Sequence, residues 1–351
     1  MLGPAEAGCL EGRLVSMRAI SRSVCGVCAA GMLALPALGG VTFRVTVNDP
    51  EGLLTGTETA IASSVVGAGS LWSRRLMGET ELWVEVRPAV EIDTIDCRSF
   101  TWSYFETLEG AIDVFEPGAS VHVRNGFPAS SFDPDIILEI NPEHAALDLW
   151  FDPDPAARTE PVDPERIDAV SEFARGLGRA FGFDGWMNGT DGTFAGTERS
   201  TFDRHVDFSG TEFFFKGVNA MGVYAGPVPM TFGVPFRLGN EPPAQGADLL
   251  DDLMSGRELE AGRRYDVSDL DFAILRDARV PIVLPCPCDL TGDGFVDDAD
   301  FSYFTLAYDL FDCADAAMPA GCPADFNRDA LIDDADYIIF VDGYGEFLCP
   351  Y

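Results

Sequence analysis

Histidine is nearly missing from this chain of 351 residues, occurring only at His122, His144 and His205. No two of them stand at metal-ligand spacing, so a histidine-based metal centre would have to be assembled from these three and carboxylates. His122 sits in a strand-like run, His144 follows a turn and His205 lies in FDRHVDF; each reads as a surface or capping residue. Basic residues are short as well: 23 Lys and Arg oppose 58 Asp and Glu, a formal net charge of -35. With no basic surplus to neutralise phosphates, the charge argues against sequence-independent nucleic-acid binding and against anionic membrane surfaces. Beyond residue 40 no apolar run is long enough to cross a bilayer.

What is present suits two globular domains, since 47% of the residues are hydrophobic and the chain is long for a single core. Residues 1–40 read as a secretory signal that starts at Met17. Arg18 and Arg22 form its basic head, Val24 to Leu35 its apolar stretch and Ala37-Leu38-Gly39 its cleavage site. A secreted protein, extracellular or at the cell surface, is expected. Cys9, Cys25 and Cys28 leave with the signal, and Cys97, Cys286, Cys288, Cys313, Cys322 and Cys349 remain as an even set in an oxidising compartment. Cys97 has no nearby His or basic context, so a disulfide suits it better than a nucleophilic role.

From Val41 the run VTFRVTV alternates with period two and predicts a strand, Thr57 to Leu76 predicts a helix, and Glu81 to Ala89 predicts a strand again. Cys97 to Pro128 reads as loop. DIILEIN (Asp135 to Asn141) and LDLWFDP (Leu147 to Pro153) predict further strands. Asp163 to Trp186 predicts one helix, with Asp163 as N-cap, Pro164 at the first turn and Ile167, Val170, Ala174, Leu177 and Phe181 on a buried face. Glu172, Arg175 and Arg179 occupy the opposite face, and Gly182 to Gly185 end the helix. The order gives an α+β layer with a sheet against this helix.

Within that helix, ARGLGRAFGFDGW resembles the segment AHELGHALGFxGW of metzincin-type zinc metallopeptidases, except at the residues that do the chemistry. In that motif two His hold zinc and the Glu between them is the general base. Here Arg175 and Arg179 stand at the His positions and Gly176 at the Glu position. GTEFFFKGVNAMGVYAGPVP (Gly210 to Pro229), RLGN (Arg237 to Asn240), DLMSG (Asp252 to Gly256) and YDVSDLDFAILRDARVP (Tyr265 to Pro281) follow in the order of a secreted bacterial family of that type. The resemblance spans Val41 to Pro281. It implies that Arg237 replaces the third ligand and that Met254 belongs to the turn beneath the metal. Guanidinium has no acceptor lone pair and repels cations, so zinc is not expected and no catalytic residue is assigned. The three arginines make a positive spot that either holds a carboxylate or sulfate or pairs internally with Glu172 and Asp184.

The last 67 residues, 285–351, change character and repeat internally at an offset of 36. Each unit is a 12-residue acidic loop followed by an apolar helix, DLTGDGFVDDAD and DFNRDALIDDAD. The pair resembles the dockerin module, which implies two Ca²⁺ sites in a small all-α domain and an extracellular protein partner such as a cohesin-like receptor. Calcium takes oxygen ligands from loop positions 1, 3, 5, 7 (backbone), 9 and 12. That nominates Asp289, Thr291, Asp293, Phe295, Asp297 and Asp300 in one loop, and Asp325, Asn327, Asp329, Leu331, Asp333 and Asp336 in the other. Ala330 stands where glycine would make the sharp turn, at a cost of roughly 1 kcal/mol. Spacing within each repeat predicts Cys286 bonded to Cys313 and Cys322 to Cys349, leaving Cys288 and Cys97 to join the domains or stay as thiols.

The organisation expected is therefore a signal (1–40), a metallopeptidase-like domain with a twisted sheet and its active-site helix (41–284), and a dockerin-like module (285–351). The function implied is a secreted, catalytically inactive metallopeptidase homologue carrying a calcium-binding attachment module. The alternative is an active secreted hydrolase, either a peptidase with a relocated metal or a polysaccharide-associated enzyme.

Overall fold

The structure is a computed structural model. It describes residues 40–351 apart from 129, 235, 284–287, 292–294, 316, 320–321, 327–329 and 347–351, and apart from the side chains of 342, 345 and 346. The expected signal lies outside the described residues.

The alternating run at the start forms β1 (Thr42–Val47), the apolar-striped segment after it α1 (Glu58–Ser73), and the next alternation β2 (Glu81–Pro88). All three match expectation to within a few residues. The stretch read as loop does not: it holds β3 (Ile95–Ser99), the hairpin of β4 (Trp102–Leu108) and β5 (Ile112–Pro117), and helix α2 (Gly118–Asn125). The hairpin turns on Gly110 and Ala111, both with positive φ. Aromatic and β-branched residues flank that turn on either side, a hairpin signal that was there to be read. Strand β6 (Ile136–Ile140) lies within DIILEIN, and α3 (Pro142–Leu147) follows, capped by Asn141.

Strands β1, β2 and β6 are parallel and β3 closes the sheet antiparallel to β6, in the order β1-β2-β6-β3. Leu82, Val84, Val86, Ile136, Leu138 and Ile140 fill its centre and are fully buried. Only Leu149–Trp150 of the predicted LDLWFDP strand is extended; as β7 it pairs in parallel with β8 (Ile167–Asp168).

Helix α4 (Ala169–Phe181) begins later than its sequence predicts. Asp163 and Pro164 precede it in a turn, and Asp168 is the cap: its Oδ2 accepts from the backbone N–H of Ser171 at 3.1 Å and from the Ser171 hydroxyl at 2.6 Å. The Asp168 carboxylate is fully buried and also takes the guanidinium of Arg158, 3.1 Å away, which a turn-forming Asp163 in solvent would not. Gly182, with φ 136°, ends the helix as expected. α1 packs on β1, α4 on β3, and the two helices on each other, with the Trp72 indole N–H donating to the Ala174 carbonyl at 2.9 Å.

Three short strands follow: β9 (Glu198–Ser200) joins the β4–β5 hairpin, and β10 (Val206–Phe208) pairs with β11 (Phe213–Phe215). Helix α5 (Val218–Tyr224) leads to β12 (Val228–Met230), which pairs with β11, and α6 (Asp269–Asp277) packs on α5. The chain is thus mixed α+β. Its two last helices, α7 (Asp298–Leu310) and α8 (Asp334–Glu346), enclose a separate apolar cluster of Val296, Phe304, Ala307, Ile332 and Phe340.

Candidate functional site

Helix α4 is buried nearly all round, so its polar residues face an enclosed cleft and not open solvent. Glu172, Arg175, Gly176 and Arg179 line a cavity of about 570 Å³ together with Arg237 from the loop after β12. The four sequence-assigned positions therefore meet in one place. Arg237 reaches it because the RLGN segment is tied to the DLMSG turn: Leu238 N–H donates to the Met254 carbonyl at 3.0 Å, and Gly256 N–H to the Leu238 carbonyl at 2.9 Å. Met254 is fully buried under α4, and a Cβ on Gly178 would come within 3.0 Å of its sulfur.

The three guanidiniums differ in their partners. Arg175 is buried and donates through Nε to the Leu253 carbonyl at 2.7 Å and through Nη1 to the Arg257 carbonyl at 2.8 Å. Burial holds its pKa below the ordinary arginine range, with nearby Glu172 opposing. Arg179 lies 3.7 Å from Asp96, and its Nε is buried with no hydrogen-bond partner among the described residues. For the Arg237 guanidinium no hydrogen bond or ion pair is formed among the described residues. Burial first, then repulsion from Arg175 and Arg179, bring it down to about 10. Pairing with Glu172 and Asp184 thus takes a different form from the one expected. Both acids attract the arginines from a distance, while the direct contacts go to main-chain carbonyls and to Asp96. Asp184 itself is pushed up to about 6 by burial, against the pull of Arg179.

Zinc does not fit this set, because the three side chains that converge offer only N–H donors. Among the described residues, no three His, Cys, Asp or Glu side chains in the cleft approach one another closely enough to hold an ion instead.

Two histidines are placed where sequence reasoning did not put them. His122 is on α2 and buried, bridging Asp135 at 2.7 Å and Thr80 at 2.8 Å. His144 is on α3, 4% exposed, and lines the arginine cavity. Its Nδ1 lies 2.9 Å from Asp148, one turn on, and its Nε2 has no partner among the described residues. The signal was the HAALD spacing, which sets His and Asp four apart on a helix. His205 packs near Phe215 with Nε2 on the Asp277 carbonyl at 2.9 Å, and burial lowers its pKa. Cys97 is a buried free thiol on β3, pushed up to about 12 by burial and so an inert neutral group. Of the two fates left open for it, a bond between the domains or a thiol, it takes the second.

At the other end of the chain, the acidic loops carry their own order. Asp300 is fully buried and accepts from the N–H groups of Thr291 at 2.8 Å and Asp297 at 2.9 Å; Asp336 accepts from Phe326 at 2.7 Å and Asp333 at 3.1 Å. Ala330 has φ 73°, the left-handed turn that its place in the loop predicts. Tyr308 donates to Asp334 at 2.7 Å and Tyr344 to Asp298 at 2.6 Å, a reciprocal pair that relates the two repeats by a pseudo-twofold. The loops, opened by Asp289 and Asp325, are rich in carboxylate oxygens, the donor type a hard cation takes; among the described residues no three of these carboxylates approach closely enough to hold an ion. Asp293, Asn327 and Asp329, also nominated as ligands, fall outside the described residues.

The disulfide pattern is corrected. Cys313 is bonded to Cys322, Cα to Cα 5.5 Å, linking the two repeats across the loop between them. Neither can then pair within its own repeat. Spacing alone could not show that the chain doubles back here and brings the end of one repeat beside the start of the next. Cys286 and Cys349 lie outside the described residues, and Cys288 is a buried thiol against the Ile339 carbonyl. The cluster of Cys313, Cys322 and Asp325 has metal-like spacing, but the disulfide consumes both sulfurs.

No protein-family model matches the chain, and no curated protein matches it.

Proposed function

We propose that the protein is a secreted, catalytically silent homologue of metzincin-type zinc metallopeptidases, carrying a dockerin-like calcium-binding module for extracellular attachment or assembly. One observation carries this reading. Arg175, Gly176, Arg179 and Arg237, assigned from two separate stretches of sequence, line one cavity. Unrelated segments have no reason to converge in this way. Three guanidiniums then repel a cation from the place where the resembling enzymes hold one, and glycine supplies no base. Asp300 and Asp336, each gathering the N–H groups of its own loop, support the calcium reading, as does the left-handed Ala330.

The alternative, an active hydrolase with a relocated metal, would have to draw its ligands from Glu172, His144 and the other acids of the same cleft. Elemental analysis of the folded full chain separates the two. The expected result is calcium near two equivalents, no zinc, and no peptide hydrolysis. Stoichiometric zinc with chelator-sensitive hydrolysis would establish the alternative.

A further inference from the structure

Three polar groups at the cleft find no hydrogen-bond partner among the described residues. The Arg237 guanidinium lines the cavity without a side-chain partner among the described residues. Nε of Arg179 is buried and unpaired, and so is Nε2 of His144, whose ring is 4% exposed. Unsatisfied buried polar atoms each cost of order 1–3 kcal/mol, so the two here, Arg179 Nε and His144 Nε2, with the Arg237 guanidinium beside them, point to a missing ligand.

Their chemistry defines that ligand. Arg179 and Arg237 present N–H donors and positive charge, the arrangement that recognises a carboxylate. His144 is different. In the tautomer whose Nδ1–H donates to Asp148, Nε2 keeps a lone pair that accepts a hydrogen bond from an N–H or O–H. Ile95, Ile167, Val234 and Leu259 add apolar wall to the same cavity. Asp148, Glu165, Glu172 and Glu258 share the lining, and Asp148 is taken by His144; at Arg237 itself the repulsion from Arg175 and Arg179 stands ahead of the attraction of Glu172 and Asp184.

Resting on the non-catalytic reading of this cleft, we infer that it is a receptor for the free carboxy-terminus of a peptide. The terminal carboxylate lies between Arg179 and Arg237, and a main-chain N–H is accepted by Nε2 of His144. A peptide terminus brings an amide donor and an apolar side chain along with the charge, which acetate and sulfate do not. On that reading the bound peptide leaves unchanged.

The test uses the full chain and an N-acetylated tripeptide of apolar residues, as free acid and as C-terminal amide, followed by calorimetry and by mass spectrometry of the recovered peptide. The free acid is expected to bind at least about tenfold more tightly than the amide, since one charge-assisted pair is lost with the carboxylate. Arg237→Met should weaken the acid and leave the amide unaffected, whereas His144→Ala should weaken both, because both peptides carry the main-chain N–H. Equal binding of acid and amide overturns the inference, as does acetate or sulfate competing as well as the peptide does. No binding of an intact peptide overturns it while leaving the silent-homologue reading in place. A cleaved peptide overturns that reading instead, and the inference with it. The acid–amide comparison needs no variant, so it decides even if a substitution impairs folding.

Discussion

Gly176 rests directly against Cys97: a Cβ on the glycine would lie 2.9 Å from the Cys97 Cβ and 3.1 Å from Cδ1 of Ile95. Helix α4 is therefore drawn onto edge strand β3 at this position, and a side chain here requires β3 to move.

The first prediction follows from that contact. Gly176→Glu should destabilise the protein by about 1–3 kcal/mol through overpacking. The triple variant Arg175→His, Arg179→His, Arg237→His keeps the glycine, and it should take up zinc near one equivalent by elemental analysis. A folded triple variant without zinc would refute the assignment of Arg237.

Arg175 and Arg237 should behave oppositely despite facing the same cavity. Arg175→Met strands the carbonyls of Leu253 and Arg257, which is expected to cost about 2–4 kcal/mol in denaturant unfolding. Arg237→Met removes an unpartnered charge that two neighbours repel, and should change stability by less than about 1 kcal/mol. Equal losses would show that Arg237 has a structural role.

Asp184 supplies a pH signature. Its carboxyl titrates near 6 in the folded protein and near 4 in the unfolded chain, so the fold binds the proton more tightly. Its contribution is greatest below the unfolded value and is lost as pH rises through about 6. Asp184→Asn should therefore be stabilised relative to the parent at pH 8, by about 1–2 kcal/mol, and equal to it at pH 4. A gain independent of pH would show that the carboxyl is not raised.

Much of this could be read in advance, and the failures share a cause. The strand at Thr42–Val47, the helix at Glu58–Ser73 and the strand at Ile136–Ile140 show themselves because each buries one face and keeps its period. The start of α4 was misplaced because Asp163 and Asp168 are equally good caps on paper; the choice is made by Arg158 and Tyr265, about 100 residues apart. His144 looked exposed for the same reason. Its neighbours in the cavity come from β8, α4 and the loop after residue 255, none of them near it in sequence.

In the acidic repeats, Ala330 holds a left-handed backbone that glycine adopts without strain. Ala330→Gly should stabilise the calcium-loaded full chain by about 1 kcal/mol and tighten the weaker of two sites. Calorimetric titration from EGTA into Ca²⁺ checks this, with two sites expected and a calcium-dependent rise in melting temperature. A melting curve indifferent to EGTA would remove the calcium reading.

Peptide mapping without reduction should recover Cys313 and Cys322 in one linked fragment. Cys313→Ser with Cys322→Ser opens a short loop, and the expected loss is about 2–3 kcal/mol. Recovery of the linkage within either repeat would overturn this pairing.

Trp72 is fully buried beneath α4, hydrogen-bonded to Ala174 and set edge-on to Phe181 and Phe272, with its ring 2.7 Å from where a Cβ on Gly178 would be. An indole in such surroundings emits at short wavelength, and its excited state responds to small shifts of the carbonyl it touches. The carbonyl belongs to the residue just before Arg175, so the floor of the cleft has its own fluorophore. The difference in emission between the parent and Trp72→Phe is thereby an optical gauge of how α4 responds when the cavity above it fills.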